Sequence, residues 1–69
     1  MTFREFSRSC EIPLRDAVIE VLIQPKGTFT LGEKMKALAN TIIAYAEKYQ
    51  EVTGEKADLK EVMEAIKNG

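Results

Sequence analysis

The chain has 69 residues, 45% apolar and 30% charged, with a formal net charge of −1, one cysteine and no histidine. That balance is too apolar for a disordered chain and leaves no global field to hold nucleic acid or anionic lipid. An internal disulfide is impossible, and a structural zinc site has almost nothing to be built from.

Size is the next constraint. A domain of this length buries only roughly 60% of the surface its unfolded chain exposes, so one core is marginal and staples or self-association are the usual remedies. With disulfide and metal removed, homo-oligomerisation is the remaining remedy. No apolar run reaches the ~20 residues of a membrane span. The longest, Ala17 to Ile23, carries Glu20 in its middle. The N-terminal Met1-Thr2-Phe3-Arg4-Glu5-Phe6 has no signal-peptide core. A cytoplasmic location is the expectation. With an initial Met and no second domain in view, a complete single-domain protein is expected.

Three helix starts are predicted from one device. In a capping box a Ser, Thr or Asp oxygen accepts from the backbone N–H three residues on, and a Glu there reaches back. Thr2/Glu5, Thr30/Glu33 and Asp58/Glu61 have this spacing. The first opens a short helix from Thr2 to about Ser9 with Phe3 and Phe6 on one side. Pro13 ends anything longer and suits the first position of a second helix. Leu14, Ala17, Val18, Val21 and Leu22 give that helix a broad apolar face, which Ile19 and Ile23 widen. Pro25 and Gly27 end it. The competing reading is a β-hairpin, with Val18–Ile23 paired to Thr28-Phe29-Thr30.

A third helix is predicted over Leu31–Thr53, stopped by Gly54. On it Leu31, Met35, Leu38, Ile42, Tyr45, Tyr49 and Val52 alternate spacings of four and three, a heptad seam. Gly32, Ala39, Ala46 and Thr53 lie beside the seam and are small enough to let another helix approach closely. The seam has two possible covers: the chain's own second and fourth helices, or a second copy. We expect self-association through it. Tyr45 and Tyr49 are expected at the core edge with their hydroxyls in water, or else as partner anchors. A fourth helix is predicted with Leu59, Val62, Met63 and Ile66 on one face.

Signatures of catalysis fail in turn. Without histidine there is no Ser-His-Asp or Cys-His arrangement. Cys10, near Arg8, is read as a packing residue. The carboxylates Glu47, Glu51, Glu55, Asp58, Glu61 and Glu64 alternate with lysines as a solvated face, and the glycines are dispersed. No enzyme, cofactor or metal is expected.

The expectation is an all-α bundle of three to four helices built on the long helix 31–53. Its expected role is that of a protein-interaction regulator, an adaptor or inhibitor of a larger protein, of phage or mobile-element kind. Candidate partner contacts are Arg4, Arg8, Arg15 and Ile43. The alternative is a dimeric helix-turn-helix DNA-binding regulator, with Lys34, Lys36 and Asn40 reading the groove. A long connection, an overlong recognition helix and the missing basic excess weigh against it.

Overall fold

The structure, a computed structural model, describes residues 1–24 and 30–68. Among them are four helices, α1 (Phe3–Ser9), α2 (Leu14–Leu22), α3 (Leu31–Thr53) and α4 (Leu59–Asn68), and no strand. The all-α architecture built on the long helix is therefore what the chain adopts. Val18–Leu22 are helical, which leaves the hairpin reading without its first strand. The predicted stop at Pro25 and Gly27, and the Thr28-Phe29 half of that hairpin, lie outside the described residues.

Local chemistry accounts for the helix limits. At α1 the box is complete: the Glu5 N–H donates to Thr2 Oγ1 (3.2 Å), and the Thr2 N–H donates to Glu5 Oε1 (3.2 Å). At α3 the Glu33 N–H donates to Thr30 Oγ1 (3.2 Å). At α4 the cap differs from expectation, since Asp58 Oδ1 accepts from the Lys60 N–H (3.1 Å), one position earlier than Glu61. The short Asx side chain reaches the second free N–H as readily as the third. Gly54 ends α3 with φ +77°, a left-handed conformation in which a Cβ would be strained.

Pro13 stands one position before the helix, as the N-cap of α2. It has no side-chain oxygen to offer the free N–H groups there. Ser7, fully buried, supplies one from α1: its Oγ accepts from the Leu14 N–H at 2.9 Å. One hydroxyl thus caps α2 and fixes the α1–α2 angle.

The core gathers Phe3 and Phe6 of α1, Leu14 and Val18 of α2, Tyr49 of α3, and Val62 and Ala65 of α4. Phe3 meets the Tyr49 ring edge-on at 5.3 Å, and Phe6 lies 5.6 Å from it. Such pairs add about 0.5–1.5 kcal/mol each beyond burial. α2 packs on α3, and α4 packs on α1 and α2. The fourth helix therefore docks on the first two, and the cover of the α3 seam comes from α2 and α1.

The molecule measures 39 × 20 × 17 Å with a radius of gyration of 12.3 Å. A compact chain of this length would have about 11 Å. The difference comes from α3, whose 23 residues span about 35 Å, close to the whole long axis.

Candidate functional site

The α3 seam divides into a covered middle and open ends. Tyr49 is buried, and Leu38, Ile42 and Tyr45 pack partly buried against the core. Leu31 (76% exposed), Met35 (63%) and Val52 (60%) are open. The middle of the predicted self-association seam is thus occupied by the chain's own first two helices.

Both tyrosine hydroxyls, expected in water or on a partner, are held by backbone. The Tyr49 hydroxyl donates to the Met1 carbonyl (3.0 Å), and the Tyr45 hydroxyl donates to the Ile12 carbonyl. Each ties the N-terminal segment to α3 across more than thirty residues of sequence. At the other end, the Lys34 ammonium reaches the Gln24 carbonyl after α2 (3.5 Å). These two ties, Ile12 to Tyr45 and Gln24 to Lys34, run α2 antiparallel to α3.

Lys34 therefore sits on the covered side. Lys36 and Asn40 are exposed. Two residues correspond to about 200° of turn, so Lys34 and Lys36 point to opposite sides of α3. The three suggested groove readers are not brought onto one face. The arginines are not brought together on one element either. Arg4 and Arg8 share a flank of α1, and Arg15 stands exposed on α2. The Arg4 Nε is buried without a hydrogen-bond partner, so part of this side chain is committed to packing.

Two apolar surfaces remain open. On α2, Ile19 (41% exposed), Leu22 (53%) and Ile23 (72%) stand at i, i+3 and i+4 on one flank. On α3, the exposed Gly32, Met35 (from the open end of the seam), Ala39 and Ile43, with the half-buried Ala46, follow at intervals of three and four residues beside the covered part of the seam. Ile43 is 52% exposed, and no charged residue falls within this stripe. Lys36 and Glu47, both exposed, border it. Scattered exposed apolar residues are ordinary, but several on successive turns of one helix face are not. α4 adds Leu59 and Met63, which lie on the edge of its buried face.

An open groove of about 320 Å³ is lined by Phe6, Cys10, Ile12, Ala44 and Tyr45, with the charged Glu11 and Lys48. The Cys10 thiol donates to the Phe6 carbonyl (3.3 Å), and burial pushes its pKa up. A nucleophilic cysteine needs the opposite shift, because the thiolate is the reactive form. The shift in this groove therefore disfavours the thiolate. Among the described residues no cluster of three or more His, Cys, Asp or Glu side chains is placed to hold a metal ion. None of the described helices is long and apolar enough to cross a membrane.

Sequence reasoning missed the α2 cap by Ser7, for which a Pro at the cap position was the available signal, because it obliges some other residue to supply the acceptor. The surplus apolar width that Ile19 and Ile23 add to α2 was legible; that Leu22 stays in the open beside them was not. No family, no characterised protein and no solved structure matches this chain.

Proposed function

We propose that this protein is a non-enzymatic protein-interaction regulator, an adaptor or inhibitor that acts through helical surface, itself self-associating. One observation carries the reading: apolar side chains on successive turns of α2 and α3 stay open to solvent after the core is complete. Contiguous apolar surface of that kind is the mark of an interaction site. A thiol whose thiolate is disfavoured by burial and a sequence without histidine support a role in binding rather than chemistry.

The heterologous partner is assigned to the α2 flank of Ile19, Leu22 and Ile23. These residues need no rearrangement of the core to be covered. The N-terminal arginines stand as steering charges that would affect association rate more than affinity. The phage or mobile-element setting rests on small size alone.

The test compares wild type with Leu22→Glu and Ile23→Glu as bait in extract from the source cells. The reading expects one protein retained by wild type and lost with both variants. Adding purified wild type, but not the variants, should alter the activity or assembly of that protein. Variants that stay folded and retain the same proteins as wild type would overturn the reading. Binding to duplex DNA that weakens steeply with salt would replace it with the DNA-binding alternative, because displaced counterions produce that slope.

A further inference from the structure

We infer that the occupant of the open α3 stripe is a second copy of this chain, docked antiparallel along α3. The inference rests on the reading that the molecule works through apolar helical surface, and it assigns a separate face to self-association.

Area is the first argument. The chain exposes 5042 Å², whereas a monomer of 7.8 kDa is expected to expose about 4,400 Å². The excess, about 650 Å², approaches the ~800 Å² that each partner buries in a standard interface. A molecule this small has no other staple available: no disulfide, and no metal cluster among the described residues.

The pattern of the stripe selects the partner and its direction. Place two α3 helices antiparallel with the two-fold axis at the level of Thr41. Ala39 of each copy then faces Ile43 of the other, and Met35 faces Ala46. Large meets small at both levels, as close packing of two helices requires. At the border, Lys36 of each copy faces Glu47 of the other. A parallel pair would set Ala39 against Ala39 and Ile43 against Ile43, small on small and large on large, and would carry the Lys36/Glu47 borders of the two copies to opposite sides of the contact, where they could not pair. The symmetry also closes the assembly at two copies, since the same patch serves on both sides.

Gly32 fits the same arrangement. Its conformation needs no glycine, and an added Cβ would meet nothing within 4 Å in the monomer. Glycine within a helix costs up to about 1 kcal/mol relative to alanine. Room for an approaching second helix gives it a purpose that the monomer does not.

The experiment is sedimentation equilibrium over a hundredfold concentration range on wild type, Lys36→Glu, Glu47→Lys and the double exchange. All of these positions are exposed, and circular dichroism checks that each variant stays folded. The inference expects a wild-type dimer. Each single reversal should weaken it about tenfold in dissociation constant, as two surface pairs turn from attraction to repulsion. The double exchange should restore it, and Ile43→Glu should leave a monomer. A wild type that is monomeric throughout overturns the inference. So does a dimer indifferent to the single reversals. A dimer lost with Ile23→Glu but kept with Ile43→Glu would move the contact to the α2 flank and overturn it too. The partner-binding reading fails separately, in the capture comparison, and either result leaves the other informative.

Discussion

Ser7 is the residue on which the N-terminal half turns. It is fully buried, and its oxygen holds the Leu14 N–H at a helix start that proline cannot cap for itself. Ser7→Ala removes the acceptor and leaves a buried N–H without a partner, a loss of about 1–2 kcal/mol. Urea unfolding followed by circular dichroism should show the midpoint fall with little change in slope. An unchanged midpoint would mean that α2 is capped otherwise. Tyr49 is comparable: its ring closes the aromatic group with Phe3 and Phe6, and its hydroxyl ties down Met1. Tyr49, expected at the core edge, is 2% exposed and lies in the core, whereas Tyr45 is partly buried as expected; from sequence both were legible as residues of the α3 seam. The partners of their hydroxyls were not, because they lie more than thirty residues away and depend on how α1 and the α1–α2 turn fold back.

At the scale of elements, the helices were legible and their rotations were not. Capping chemistry is local, so Thr2, Thr30 and Asp58 announce their helices without knowledge of the fold. Which side of a helix turns inward is decided by neighbours. On α4 the apolar pattern centres between Leu59, Val62, Met63 and Ile66, yet Val62 and Ala65 are the buried pair. Leu59 is 74% exposed and Met63 58%. Alanine at position 65 allows α4 to come close to α1 and α2, and the larger residues are left at the edge. Val62→Ala should therefore cost about 2 kcal/mol or more, while Met63→Ser should stay within about 0.5 kcal/mol. Equal losses measured by thermal unfolding would mean that α4 is rotated from this position. The α3 seam shows the same division. Its heptad period is real, but a period cannot say which copy of which helix fills it.

The whole molecule titrates at its extremes. Hydrogen bonds to the Thr2 backbone and hydroxyl hold the Glu5 carboxyl below its ordinary range, so its contribution is present above 4.5 and is lost as pH falls. Burial raises Cys10 and Tyr45. Groups raised in the folded state contribute fully below their unfolded values and lose that contribution as pH rises through the folded ones. Stability should decline above the ordinary thiol value of 9.0, and the loss should continue through the phenol range. No histidine titrates between these limits. The unfolding free energy against pH should thus show a broad neutral plateau with losses at both ends, and a step near pH 6–7 would contradict this assignment.

The elongated outline follows from the two roles of α3. α3 uses one face to complete a core that α1, α2 and α4 share, and holds the adjoining face outward. Two neighbouring isoleucines separate those roles, since Ile42 packs on the core and Ile43 is exposed. The most direct test is urea unfolding of Ile42→Glu and Ile43→Glu, side by side, at a concentration low enough to keep both monomeric. Ile42→Glu should lose about 2 kcal/mol or more, from a charge set against the core. Ile43→Glu should match dilute wild type within about 0.5 kcal/mol. Equal stability of the two variants, or the reverse order, would show that α3 presents a different face to its own core and would contradict the account.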